Sequence, residues 1–216
     1  MKLENFVLVF CNGEPPSRER IEELLPHPRL IACADGGANK AVSLGYEPNL
    51  VIGDLDSFVN DNQKLQKAEI IKINSQDNTD FEKTLDFLLD RGLNQFLVVA
   101  FSGGRIDQTL ANLQIAYEYS KKCKIVLADS QYMVCPVRDS LISDAGRGLV
   151  VSLIPMEDGT RVSTDGLKYK LNHVLLRKGG RGVSNESTMD NIQVTIHEGG
   201  VLVFLGSADK VDPPRK

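Results

Sequence analysis

The sequence predicts an α/β layer fold with a mainly parallel sheet, followed by a small all-β sandwich. Three observations carry this reading. From residue 5 to about 128, short apolar runs rich in Val, Ile and Leu alternate with helical patterns. Continuous runs of that kind are what strands covered on both faces look like. After about residue 136 the helical period disappears, and short β-branched segments separated by Gly-rich or Asp-Gly turns take over, a pattern of antiparallel strands. A length of 216 residues suffices for one large domain or two small ones with a real core. The expected organisation is an α/β domain over 1–130 and a β-sandwich domain over 136–216.

The elements of the first half follow in order. The run "NFVLVF" leads to the helical "SRERIEELL", "RLIACA" to "GANKAVSLG", "EIIKI" to "TDFEKTLDFLLDRG", and "QFLVVAF" to "IDQTLANLQIAYEYSKK", after which comes "KIVLA". Thr79 and Glu82 have capping-box spacing, and Phe81, Leu85, Leu88 and Leu89 make an apolar stripe. The next helix places Ile106, Leu110, Leu113 and Tyr117 on one face. Asp80 and Asp107 fall in the two first turns, where an acid stabilises a helix by roughly 0.3–1 kcal/mol through the macrodipole. In the second half "GLVVSLIP", "TRVSTDG", "LKYKL", "HVLLRKGG", "NIQVTIHEGG" and "VLVFLG" read as short strands. The stretch 129–144, "DSQYMVCPVRDSLISD", is the expected crossover between domains, with enough apolar residues to include a strand, and the tail "DKVDPPRK" is expected to be loosely held.

Composition narrows the function classes. A formal net charge of −4 and a pI near 5.5 argue against a general affinity for nucleic acid or an anionic membrane, leaving room for a local basic pocket. No apolar run approaches a membrane span, and the N-terminal run is too short for a signal-peptide core. A cytoplasmic protein is therefore expected. Cys11, Cys33, Cys123 and Cys135 form no CxxC pair and read as reduced packing residues. His27, His173 and His197 are too scattered for a zinc site. Any metal should be a hard one with oxygen ligands.

Four polar clusters stand out: "CADGGAN", "IGDLDSF", "SQDNTDFEKTL" and "FSGGRIDQTLANL", each directly after an apolar run. Placed at the carboxyl ends of parallel strands, they would lie along one edge of the sheet. Asp54 and Asp56 alone admit two readings. They are a solvated turn, or a pair of like charges with something positive between them. If extended, they share one face. Together with Asp80 they offer the hard oxygens that Mg²⁺ takes alongside phosphate and water. Gly36, Gly37, Gly103 and Gly104 would let main-chain N–H groups approach a phosphate, and Arg105 supplies a fork for its oxygens. Neither G-x-x-x-x-G-K-[ST] nor G-x-G-x-x-G occurs, so any phosphate is held without a Walker lysine.

In order and spacing, "ADGGAN", "GDLDS", "DNTDFEKTL" and "GGRIDQTLANL" resemble the motif series of the thiamine pyrophosphokinase family. "DGLKYKL" and "GVSNES" are similar to its C-terminal thiamine-binding signatures, so the resemblance covers nearly the whole chain. It implies transfer of a pyrophosphoryl group from ATP to the hydroxyl of thiamine, giving thiamine diphosphate and AMP. It also implies a homodimer with active sites shared between subunits. On the matching positions, it implies that Asp54, Asp56 and Asp80 hold Mg²⁺ and that Asp35 lies near the same phosphates. By the same resemblance Gln76 and Thr79 contact the nucleotide or its phosphates, Arg105 holds a phosphate, Asp107 faces thiamine, and Ser184 and Asn185 contact thiamine from the β domain. Tyr169 stands where the family usually has tryptophan, and the chain contains no tryptophan. The rival readings are a non-catalytic thiamine or nucleotide sensor and, behind it, a D-x-D nucleotide-sugar transferase. As a mechanism the resemblance implies in-line attack by the thiamine hydroxyl, with Asp107 or a metal-bound carboxylate accepting the proton.

Overall fold

A computed structural model describes residues 3–56, 65–144 and 146–206. The chain divides into two compact units, the first ending at Asp129 and the second starting at Ser130.

In the first unit the order is β1 (Val7–Phe10), α1 (Arg18–Leu24), β2 (Ile31–Ala34), α2 (Gly37–Ser43), β3 (Leu50–Gly53) and β4 (Glu69–Lys72). Then follow α3 (Asp80–Asp90), β5 (Gln95–Val99), α4 (Ile106–Tyr119) and β6 (Lys124–Ala128). The strands lie in the order β4-β3-β2-β1-β5-β6, and every pair among them is parallel. The order reverses between β1 and β5, which makes that junction the switch point where a crevice opens beyond the strand ends.

The central strands carry the core. Leu8, Val9, Phe10, Phe96, Leu97, Val98 and Val99 are fully buried, each side chain contributing about 1.5–3 kcal/mol relative to exposure if fully removed from water. β4 differs from the expected two-sided burial: it is the edge strand, mostly exposed. Its glutamate Glu69 is clamped by Arg91 at 2.8 Å, a charge that also discourages edge-to-edge pairing.

α3 keeps the expected stripe, with Phe81, Leu85 and Leu88 buried. Its capping box is complete. Thr79 Oγ1 accepts from Glu82 N at 3.2 Å, and Thr79 N donates to Glu82 Oε2 at 2.9 Å. α4 departs from the expectation. Its buried face is Asn112, Ala116 and Tyr117, whereas Ile106 is 85% and Leu110 57% exposed. A 3.6-residue period finds an apolar stripe without saying what covers it.

The second unit is all β, with β7 (Tyr132–Val137), β8 (Ser140–Asp144), β9 (Val150–Pro155), β10 (Arg161–Asp165), β11 (Val174–Leu175), β12 (Asn185–Glu186), β13 (Asn191–Glu198) and β14 (Val201–Gly206). One set of neighbours runs β12-β9-β14-β7 and the other β11-β10-β13-β8. All their pairings are antiparallel. Alternation runs along β13, where Ile192, Val194 and Ile196 are buried, Asn191, Gln193 and His197 are exposed and Thr195 is half-buried. The stretch expected to be a crossover instead holds two full strands, β7 and β8. "LKYKL", expected as a strand, forms no strand; its one ladder pairing among the described residues is the isolated bridge from Leu167 to Ser187. The "DKVDPPRK" tail lies outside the described residues.

Candidate active site

At the switch point of the parallel sheet lies a cavity of about 580 Å³. Its walls come from the ends of β1, β2, β3 and β5 and the first turns of α3 and α4, among them Asn12, Asp35, Asp54, Asp80, Arg105 and Asn112. The β1 and β5 ends are stitched together by Cys11 N to Val99 O at 2.9 Å and Gly13 N to Ala100 O at 2.7 Å. Asn112 Nδ2 donates to Phe101 O at 2.9 Å and fixes the loop that carries Arg105. The site thus stands on rigid strand ends, with its loops tied down.

Three carboxylates, Asp35, Asp54 and Asp56, each offer an oxygen within 4.8 Å of the others. Their convergence has a local cause. Asp35 is buried at φ +41°, and its N–H donates to Ile52 O at 2.8 Å, which binds the β2 turn onto β3. Asp tolerates that left-handed region better than most residues. Leu55, between the other two, sits at φ +66°, so the D-x-D pair is brought together by a turn, not by an extended strand. Asp56 N donates to Asp54 Oδ1 at 3.3 Å. The turn and the charge cluster are therefore one feature. Gly53 leaves the space: a Cβ there would lie 2.9 Å from Asp35 Cβ and 3.1 Å from Asp80 Oδ1.

Asp80 stands next to this trio, at the first position of α3, and its Oδ1 accepts from Lys83 Nζ at 2.9 Å. Lys83 escaped the sequence reading. Its side chain is only 5% exposed, an unusual place for an ammonium unless it is paired. The Asp56 main-chain N–H holds the Asp54 carboxyl below the usual range, helped by the Gln76 amide and the Lys83 charge. Asn12, at the end of β1, was equally invisible, since one polar residue after a strand carries no spacing signal.

On the far side of the cavity Arg105 meets Asp107 fork to carboxylate, Nη2 to Oδ2 at 2.6 Å and Nε to Oδ1 at 3.1 Å. The guanidinium is the main reason the Asp107 carboxyl sits below its ordinary range. Both are well exposed. Asp107 therefore holds the Arg105 fork in place. Gly104 has open space around it, as a phosphate approach requires, but Gly37 does not: its Cβ would lie 2.3 Å from Phe10 O. That glycine serves packing of α2 on β1. Thr79 lines the cavity while its hydroxyl caps α3; Gln76 reaches Asp54 Oδ2 at 3.5 Å.

The two predicted residues of the second unit lie together. Ser184 is exposed at φ +60°, its N–H held by Ser152 Oγ at 3.0 Å. Asn185 is buried and spends its amide on main chain: Oδ1 accepts from Tyr169 N at 3.0 Å and Glu186 N at 2.9 Å, and Nδ2 donates to Tyr169 O at 2.8 Å. It is a clasp that presents Tyr169, which is 65% exposed.

Cys11 also lines the cavity, but burial pushes its thiol up to about 12. A protonated, buried thiol is a poor nucleophile. Native protein treated with iodoacetamide at pH 7.5 should keep Cys11 unmodified and its activity intact; rapid loss of both would contradict this.

An acidic strand-end cluster across one cavity from an arginine fork, at the switch point of a parallel sheet, has the charge arrangement that suits a phosphate-bearing ligand in the α/β unit. The comparisons with known proteins agree with that reading and narrow it. The family profile described as "Thiamin pyrophosphokinase, catalytic domain" matches residues 21–127, and "Thiamin pyrophosphokinase, vitamin B1 binding domain" matches 141–201. The chain belongs to the thiamin pyrophosphokinase family, and is an enzyme of that family, a thiamine diphosphokinase. It is 27% identical to thiamine pyrophosphokinase 1 of Arabidopsis thaliana over 95% of this chain and 87% of that one. With thiamine pyrophosphokinase of Bacillus subtilis it shares 28% identity over 81% and 86%. Two solved structures share the fold. Thiamine pyrophosphokinase from Bacillus subtilis has TM-score 0.79 at 21% identity, covering 94% of this chain and 99% of that one. Thiamin pyrophosphokinase from Candida albicans has TM-score 0.81 at 18% identity, covering 94% and 89%. No helix among the described residues is long and apolar enough to cross a membrane.

Proposed function

We propose that the chain transfers the pyrophosphoryl group of Mg-ATP to the hydroxyl of thiamine, releasing AMP, with the chemistry centred on the acidic strand ends. The observation that carries this is the convergence of Asp35, Asp54 and Asp56 within 4.8 Å at the cavity wall. Three like charges at that spacing repel unless a cation is present, and oxygen donors alone suit Mg²⁺. The residues present therefore fit such an ion. Asp54 and Asp56 would hold it, with Asp35 as the third near oxygen and Asp80 alongside. When bound, it would neutralise phosphate oxygens and polarise the phosphorus toward attack.

The chain's own residues then divide the remaining work. Arg105, pre-oriented by Asp107, takes phosphate oxygens. Gln76 and Thr79 border the nucleotide. Asp107 faces the thiamine hydroxyl, and either it or one of the acidic cluster accepts the proton. Lys83 offsets part of the cluster's charge and fixes Asp80. Ser184 contacts thiamine, and Asn185 acts by presenting Tyr169, whose ring supplies an apolar face for a planar heterocycle. A nucleotide-sugar transferase leaves the B1-binding match at 141–201 without a role. The test is omission: AMP release that needs both thiamine and a divalent metal supports the reading, and release unaffected by leaving out thiamine contradicts it.

A homodimer with shared sites belongs to the same proposal. It is supported by Ile106 and Leu110, which leave an apolar strip on α4 beside Arg105 and would be covered by a second copy. Leu110→Glu should shift the protein toward monomer in sedimentation at micromolar concentration and lower turnover; an unchanged oligomeric state would place the interface elsewhere. A cytoplasmic home fits four free cysteines, three of them buried.

A further inference from the structure

Residues 166–185 contain Lys168, Lys170, Arg177, Lys178 and Arg181 and no acidic residue, in a chain whose net charge is −4. The site described above uses none of these cations. Three have local partners: Lys168 pairs with Glu186 at 3.0 Å, Lys170 with Asp165 at 2.7 Å and Lys178 with Asp158 at 3.1 Å. Arg177 and Arg181 have no ion pair among the described residues. Both sit on the loop that follows β11, "RKGGRG".

The loop is pinned at its two ends and open in the middle. Leu176 N donates to Thr160 O at 2.9 Å on one side. On the other, Gly182 O accepts from Leu153 N at 2.7 Å, so close that a Cβ at Gly182 would lie 2.7 Å from Leu153 O. Between these anchors no main-chain N–H of residues 177–181 donates a hydrogen bond among the described residues. The loop bends around a cavity of about 490 Å³ lined by Leu175, Arg177, Lys178, Gly179, Gly180 and Arg181. Among the described residues, two guanidinium forks have no ion pair and the N–H groups around Gly-Gly have no protein acceptor, while the Lys178 ammonium beside them pairs with the exposed Asp158. That inventory matches phosphate oxygens, which take forks and main-chain N–H groups together. A surface pair such as Lys178 with Asp158 is weak enough to be exchanged for such a ligand.

We propose that the loop 177–182 of the β unit is an anion site that takes a diphosphate group, independent of the acidic cluster and of any metal. The assignment does not rest on the kinase reading. The source of the diphosphate is either the free inorganic anion or an ester such as thiamine diphosphate.

The test is calorimetric titration of the full chain in EDTA, where the acidic cluster repels phosphate, with pyrophosphate in one arm and thiamine diphosphate in the other. Arg177→Gln and Arg181→Gln together should weaken binding of pyrophosphate, thiamine diphosphate or both about tenfold or more. Both positions are exposed, so the melting temperature should be unchanged. Amide shifts of Gly179 and Gly180 on adding pyrophosphate should accompany wild-type binding and vanish in the double variant. Binding confined to one arm identifies the source. Absence of binding in both arms, or binding that the double substitution leaves unchanged, overturns the proposal.

Discussion

Replacing Asp56 by Asn is expected to cut turnover by about 10²–10³-fold while leaving the fold intact. That is the scale on which loss of one preorganised charge is felt in a transfer site. The substitution keeps the size and shape of the side chain and removes only the charge. Asp56 is exposed, and its main-chain N–H donates to Asp54 Oδ1 at 3.3 Å, a bond the substitution keeps, so stability should barely move. The cluster would be left with Asp35 and Asp54 as its charged pair, too few to hold a cation as firmly. Measured at saturating Mg²⁺ and ATP, an unchanged kcat would reject Asp56 as part of the chemistry.

Lys83→Met is expected to separate stability from activity. Methionine fills most of the space of the lysine stem and removes the ammonium that pairs with Asp80 at 2.9 Å. Asp80 is 29% exposed and can turn to water, so the change in stability should be about 1 kcal/mol at most. Activity should suffer much more, by about tenfold or more. The Asp35, Asp54 and Asp56 cluster then loses the nearby ammonium that offsets its charge, and Asp80 loses the contact that orients it. Thermal unfolding and steady-state kinetics on the same preparation check both halves. Full turnover in Lys83→Met would show that the ammonium is packing and nothing else.

Much of the site was legible because its signals are local. Thr79 and Glu82 announce a helix start by a three-residue spacing, which the structure forms as a complete capping box. Asp54, Asp56, Asp80 and Arg105 could be placed at strand ends because the alternation of apolar runs and helices implies a parallel sheet, whose loops share an edge. What stayed hidden depends on which strands are neighbours. Asp35, expected near the phosphates, comes directly against Asp54 and Asp56 because β2 lies beside β3, and Asn12 enters the wall because β1 lies beside β5. Burial of Lys83 follows from its position on the helix face that meets the sheet, which a residue type that favours water does not advertise. The same limit misled the reading of α4. Ile106 and Leu110 continue the apolar period of Leu113 and Tyr117, but both lie near the start of the helix and are exposed. β7 and β8 read from sequence as a crossover with room for one strand because Pro136, Arg138 and Asp139 interrupt the alternation that marks strands.

In the proposed reaction the group transferred is a whole pyrophosphoryl unit. Phosphorus NMR of the purified protein with thiamine, Mg²⁺ and ATP tests it directly. AMP and thiamine diphosphate should rise in equal amounts, with thiamine monophosphate absent throughout. Appearance of ADP with thiamine monophosphate would contradict it.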